Sequence, residues 1–449
     1  MRVKRPRFAA VLAAALAVLS WPQAASAATL DNATSLPVVI RLTNGVDAAA
    51  LTAALGPAAH ARAFDHIDGV VTARVSPAQL DGLRRNAGVL AVVPQGLFHT
   101  DPPGPITVPP CADPTACQFT VRSVRRIDAQ NSSTKSGNGR GGVPVNVAVV
   151  DTGVQPSVDL NVVGGVDCVG DGRGALTDPV GHGTIIGGLL GAYDNDRYVV
   201  GVAPGARIFS VRVLDVTGGA DDSNLLCGLD WILGTHTDAD PSNDIQVVNL
   251  SLGDQAPATT SCLPTSTDAV HLAICKLVDA GIVVVAGAGN DAEPIESTIP
   301  ASYPEVLTVA GMSDGDGTWG GHTPDPCEHF PDDAFAPFSN FARNPATAAH
   351  LVAAPAVCAS SLYPSNDFNH PEVAVDTGTS YATPLAAGVV ALCIYSGACR
   401  GLDARSVVRK IVTDANLNGA LYPYFGFKGD PLHPAGGRIY GPLVRAGLY

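Results

Sequence analysis

The run Val145-Asn146-Val147-Ala148-Val149-Val150, cut off at once by Asp151-Thr152-Gly153, decides the fold class. It is apolar almost throughout instead of alternating, as a strand buried on both faces must be. Segments 207–213, 245–250, 282–286 and 306–309 are further strand candidates, several of them apolar almost throughout, and Gly- and Ala-rich stretches of helical character separate them. Strands alternating with helices predict a doubly wound α/β domain around a mostly parallel sheet. No internal repeat is visible.

Upstream the texture differs. Residues 38–42 and 69–75 read as strands, 48–54 as a helix, and 89–93 as a last strand. Ser76 caps a further helix with Pro77 at its first position and Leu80 and Leu83 at helical spacing. This is a small split β-α-β, ferredoxin-like α+β unit. Pro102, Pro103, Pro105, Pro109 and Pro110 mark the linker that follows, and 131–142 is a second loose stretch.

At the start, Arg2, Lys4, Arg5 and Arg7 precede an apolar run over 8–21, and Ala25-Ser26-Ala27 follows. Charge, a short apolar core and small residues make residues 1–27 a secretory signal peptide, too short to span a bilayer. The chain has 449 residues with 46% hydrophobic and 15% charged, which excludes a disordered chain. Its formal charge is −14, and without the four basic residues of 1–27 it is −18. That balance argues against a nucleic-acid partner. Ten cysteines and no Cys-x-x-Cys in an exported chain read as disulfides, with His322, Cys327 and His329 as a metal alternative.

Four polar residues sit in Gly-flanked turns of the α/β region. Asp151 follows a strand. His182 lies in Gly181-His182-Gly183-Thr184 and opens a helical run. Asn290 ends Ala286-Gly287-Ala288-Gly289-Asn290 just past a strand, and Ser380 opens a long apolar helix. Ligands bind beyond the carboxyl ends of such strands, where all four can meet. A serine hydroxyl is a poor nucleophile until a base takes its proton, which His182 can do. Asp151 can hold the imidazole tautomer, while Asn290 and the backbone N–H of Ser380 can hold an oxyanion.

The order Asp, His, Ser and six words carry a resemblance. The words are Val149-Val150-Asp151-Thr152-Gly153, Gly181-His182-Gly183-Thr184, Gly201-Val202-Ala203-Pro204-Gly205-Ala206, Asn249-Leu250-Ser251-Leu252-Gly253, Ala288-Gly289-Asn290 and Gly378-Thr379-Ser380-Tyr381-Ala382-Thr383-Pro384. In this order, over 145–395, the sequence resembles the subtilisin-like serine peptidases. The resemblance implies a secreted endopeptidase made as a self-processing zymogen: signal 1–27, inhibitory propeptide 28–100, peptidase domain 101–449. It implies a monomer acting on protein or peptide substrates and bound by its own propeptide. No catalytic cofactor is expected, nor any membrane contact after signal removal. The destination is extracellular, with a periplasm also open.

By position the resemblance further implies substrate-pairing edges at Gly218, Gly219 and Ala220 and at Ser251, Leu252 and Gly253. Gly287, Ala288 and Gly289 would wall the pocket for the residue before the cut bond, with Thr298 at its base and Pro300 as the family's cis-proline. No charge lines that pocket in this reading, so a bulky apolar residue is expected there. A structural calcium site would use Asp159, Asn195 and the carbonyls of Tyr193, Arg197 and Val199. Tyr381 stands where many members carry Met, and Ile185 and Ile186 replace a more usual His-Val. The expected cysteine pairs are Cys262 with Cys275, Cys393 with Cys399, Cys111 with Cys117, Cys168 with Cys227 and Cys327 with Cys358.

Other readings stand beside this one. Asp151-Thr152-Gly153 and Asp376-Thr377-Gly378 are two Asp-Thr-Gly words, as an aspartic peptidase needs, but such enzymes are almost all β. In the leading reading Asp376 is structural. An α/β-hydrolase needs Gly-x-Ser-x-Gly, which Ala382 breaks. An inactive peptide-binding relative on the same fold would usually lack one of the four polar groups, and all four are present.

Overall fold

A computed structural model describes residues 35–100, 117–256 and 261–449. The expected signal peptide, the proline linker and Cys111 lie outside them.

The first unit runs β1 (Leu36–Leu42), α1 (Ala48–Leu55), β2 (Arg62–Ala63), β3 (Val70–Val75), α2 (Pro77–Arg85) and β4 (Val89–Pro94). The expected cap of α2 forms in full, because Ser76 and Gln79 bond each other's backbone N–H reciprocally. The sheet order is β2-β3-β1-β4, all antiparallel, so the unit has the ferredoxin-like arrangement. Strand alternation gives it two apolar faces. Val38, Ile40, Leu42, Val71, Ala73 and Val75 face its own helices, together with Leu51, Leu55 and Leu83. Val39 and Val70 face the other way, into the core of the rest of the chain. A last short strand, β5 (Leu97–His99), leaves the unit.

The large domain carries β6 (Asn146–Asp151), β7 (Val162–Asp167), α3 (His182–Gly191), β8 (Arg207–Arg212), β9 (Gly219–Asp221), α4 (Asp222–Thr235), β10 (Val247–Leu250), α5 (Ala269–Asp279) and β11 (Val283–Gly287). It continues with β12 (Leu307–Ser313), β13 (Ala334–Phe335), β14 (Leu351–Pro355), β15 (Ala359–Tyr363), β16 (Glu372–Asp376), α6 (Thr379–Tyr395) and α7 (Ala404–Leu421). The main sheet has the order β13-β12-β11-β10-β6-β8-β7, with β14 also beside β12. Every pairing is parallel except β12 with β13. Every residue of β6, β10, β11 and β12 is buried. Successive side chains point to opposite faces, so both faces are covered. Helices α3 and α6 pack together, as do α4 and α5.

Four disulfides lie among the described residues: Cys168–Cys227, Cys262–Cys275, Cys327–Cys358 and Cys393–Cys399. All were expected, and the bonded Cys327 removes the metal alternative at His322 and His329. The expected cis-proline is the Ile299–Pro300 bond. No described helix is long and apolar enough to cross a membrane.

Candidate active site

Asp151 is the last residue of β6, at the middle of the sheet, where the chain order reverses. Its carbonyl accepts the N–H groups of Val213 and Leu214, which fixes the strand end. Its carboxylate Oδ1 lies 2.7 Å from His182 Nδ1 and accepts the Thr152 N–H at 2.7 Å. Asp151 and His182 are both fully buried. His182 starts α3, and the helix can begin this close only because position 183 is glycine. A Cβ there would stand 2.0 Å from the Gly153 carbonyl oxygen.

A further carboxylate, Asp178, organises this corner. Its Oδ1 accepts from Gly181 N–H at 2.7 Å and the Thr152 hydroxyl at 2.8 Å. Its Oδ2 accepts from the Thr184 N–H and hydroxyl at 2.8 and 2.7 Å. Sequence reading missed it, because an Asp before a glycine turn looks like any turn residue. Burial pulls the His182 imidazole toward the neutral form. The charges of Asp151, then Asp178 and Asp376, outweigh that and raise its pKa above the ordinary histidine value.

Ser380 is the second residue of α6 and is nearly buried. Pro384 lies inside this helix and has no N–H to offer the carbonyl four residues back, which is that of Ser380. The Ser251 hydroxyl donates to that carbonyl instead, at 2.8 Å. Ser251 is held in turn by the Asn249 amide at 2.9 Å. Thus the Asn249–Gly253 word anchors the serine turn. The carbonyl oxygen of Asn290 accepts the Thr379 N–H and hydroxyl, each at 2.9 Å. Its amide nitrogen lies toward Gly378, 3.4 Å from where a Cβ would be, and Asn290 lines a cavity with Ser380.

That cavity, about 160 Å³, is lined by Ser251, Leu252, Gly253, Gly287, Gly289 and Thr298. Two expectations are corrected. Ala288 is fully buried and does not line it. Asp254 and Asp291 do line it, so the pocket is not free of charge. Asp291 is exposed, Asp254 half-buried and Thr298 buried.

A strand of the chain itself crosses this site. β5 pairs antiparallel with β9, His99 opposite Gly219 and Phe98 opposite Ala220. On its other side His99 exchanges backbone hydrogen bonds with Gly253, and the Thr100 N–H donates to the Gly218 carbonyl at 3.0 Å. Both expected pairing edges are therefore in use. The Thr100 hydroxyl lies 2.7 Å from His182 Nε2. Ser380 Oγ donates to the Ser251 carbonyl at 3.2 Å and makes no bond to His182. Nothing in the sequence marked Thr100.

Of the residues expected around calcium, Asp159, Asn195 and Tyr193 are joined by hydrogen bonds. Asp159 is fully buried and receives the Asn195 amide on Oδ1 at 2.9 Å, while its Oδ2 has no hydrogen-bond partner. Burial pushes its pKa up to about 8, against the Asn195 amide, the Val199 backbone and the Arg197 charge. The Asp159 carbonyl accepts the Tyr193 N–H at 3.0 Å. Gln118, absent from the sequence reading, braces the loop by accepting the N–H groups of Asn195 and Asp196, each at 2.8 Å.

Residues 142–427 match the subtilase family. Subtilisin DY of Bacillus licheniformis is 33% identical over 287 residues, 63% of this chain and 87% of that protein. Subtilisin E of Bacillus subtilis is 33% identical over 255 residues, 56% of this chain and 55% of the relative. The minor extracellular protease Epr of Bacillus subtilis is 34% identical over 173 residues, 38% and 24% of the two chains. The chain thus spans about half the length of subtilisin E and a quarter of that of Epr. The chain thus belongs to the subtilase family of serine-type endopeptidases.

Proposed function

We propose that the protein is a secreted endopeptidase made as a self-inhibited zymogen. Ser380 attacks the peptide carbonyl, and His182 takes the Ser380 proton and passes it to the leaving amine. Asp151 holds the Nδ1–H tautomer of His182 and stabilises the imidazolium. The Asn290 amide and the Ser380 N–H, at the helix N-terminus, receive the oxyanion. Substrate adds as a strand between 218–220 and 251–253.

One observation carries this reading: the strand Leu97–His99 lies in that groove, and Thr100 ends it on the base His182. It supports reading residues 28–100 as the propeptide. The Thr100 hydroxyl takes the ring nitrogen that Ser380 needs, so the serine is not activated while the segment stays. Residues 1–27 would direct export and leave the chain.

For calcium, the buried Asp159 oxygen without a partner fits a cation better than a solvated turn does. Asp159 with Asn195 and the carbonyls of Tyr193, Arg197 and Val199 would hold it. The ion would brace the loop and take no part in the reaction.

The test is Ser380→Ala. Losing a triad member costs roughly 10⁶ in rate. The purified variant should be inactive, refuse a fluorophosphonate probe and keep residues 28–100 attached. Normal processing of that variant with no other protease present would refute self-cleavage.

A further inference from the structure

Tyr381, next to the nucleophile, is fully buried, and its ring centre lies 5.4 Å from that of His182 with the planes tilted by 58°. Its hydroxyl donates to Asp376 Oδ2. Asp376 ends β16, and its other oxygen accepts the Thr377 N–H at 2.7 Å. The hairpin partner of β16 grips the start of α3. Ser361 of β15 donates to the Ile185 carbonyl at 2.8 Å, and the Tyr363 hydroxyl donates to the Val180 carbonyl at 3.2 Å. The hairpin therefore ties the carboxylate of Asp376 to the helix that carries His182.

Granting the triad above, we propose that Tyr381 and Asp376 are positioning residues for His182: the Tyr381 ring, locked by its hydroxyl bond to Asp376, fixes the imidazole and stabilises the imidazolium formed when Ser380 gives up its proton.

Three physical points support this. Asp151 reaches the Nδ1 edge of His182, so contact with Tyr381 restrains the ring from another element. An aromatic ring attracts a cation held over its face within about 6 Å, and a phenol bonded to a carboxylate is the more electron-rich. Asp376 also adds negative charge near His182, in the direction that favours its proton. The polar groups facing His182 come from every side: Asp151 at the end of β6, Asp178 and its Thr152 link before α3, Asp376 at the end of β16, Ser380 and Tyr381 on α6, and Thr100 after β5.

The experiment compares mature wild type, Asp376→Asn and Tyr381→Phe with a peptide substrate across pH. Removing the Asp376 charge should move the acid limb of kcat/KM to lower pH by roughly half a unit, less than the one to three units of a directly paired charge. Tyr381→Phe keeps the ring and the Asp376 charge but removes the bond that locks the ring, so kcat should fall about 3–10-fold with KM unchanged. If Asp376→Asn does not fold, Tyr381→Phe decides through kcat, and a kcat equal to wild type overturns the proposal. An acid limb unmoved in folded Asp376→Asn overturns the proposal, whatever happens to the melting temperature. Wild type that fails to take the fluorophosphonate probe at Ser380 would instead overturn the proposed function.

Discussion

Asn290 shows how one side chain is committed before substrate arrives. Its oxygen is bonded to Thr379, which orients its amide nitrogen for the groove. Asn290→Ala should therefore lower kcat by about 10²–10³ and leave KM nearly unchanged, because the amide meets charge that exists only in the transition state. Equal losses in kcat and affinity for a transition-state mimic, measured by inhibition with a peptide boronate, would agree with that role. A second residue-scale expectation concerns oxidation. A methionine beside a catalytic serine can become a polar sulfoxide. Tyr381 has no thioether, and Met312, the only methionine besides Met1, is fully buried. Activity should survive millimolar peroxide, and Tyr381→Met should introduce sensitivity; inactivation of both forms at one rate would contradict this.

The loop 193–199 is the element whose stability is conditional. The Asp159 pKa is raised to about 8, against about 4 in an unfolded chain. Between those values the native state holds a proton that the unfolded state has released. Without calcium, stability should therefore fall as pH rises from about 4 to about 8. Asp222 at about 6 and Asp314 at about 7 slope the same way, so the difference from Asp159→Asn isolates the loop. Thermal unfolding in chelator should show a shallower pH slope in that variant than in wild type. Calcium at a hundredfold excess over Kd should stabilise wild type by about 2.7 kcal/mol and Asp159→Ala hardly at all. A chelator effect equal in the two proteins would place any calcium elsewhere.

Across the whole molecule, apolar and charged contacts both join the first unit to the large domain. Its sheet turns Val39 and Val70 toward the main core, and the Arg41 guanidinium, buried, donates to the carbonyls of Ser266 and Pro264 at 3.1 and 3.0 Å. Asp230 of α4 receives the N–H groups of Asp65, His66 and Ile67 at 3.1, 2.7 and 3.0 Å. Hydrogen bonds to a charged group contribute about 1.5–3 kcal/mol each. In the full-length Ser380→Ala background, Asp230→Ala should loosen the unit and speed amide exchange of β5 about 10–100-fold. Thr100→Val, which removes only the hydroxyl at His182, should leave that exchange unchanged. It should raise the reactivity of the unprocessed wild-type serine toward a fluorophosphonate.

Much of this was written in the chain. Runs such as 145–150 suit strands buried on both faces, and their alternation with helical stretches points to a parallel sheet between helices, so local composition carried the fold class. The glycines around Asp151, His182, Asn290 and Ser380 are needed where backbones approach closely, which is why short words located the site. Strand β7 was not legible, because Gly164 and Gly165 dilute its apolar signal, and β14 was hidden by its two alanines and its final proline. Asp178, Thr100 and Gln118 look like ordinary turn or loop residues; only long-range packing brings them to His182 and the 193–199 loop. Asp254 and Asp291 likewise became pocket residues through the path of the backbone. The sequence determined which groups exist and on which kind of element each stands, because periodicity and turn chemistry are local. Tertiary structure alone decided what surrounds His182, because hydrogen bonds and charges act through distances that sequence spacing does not record.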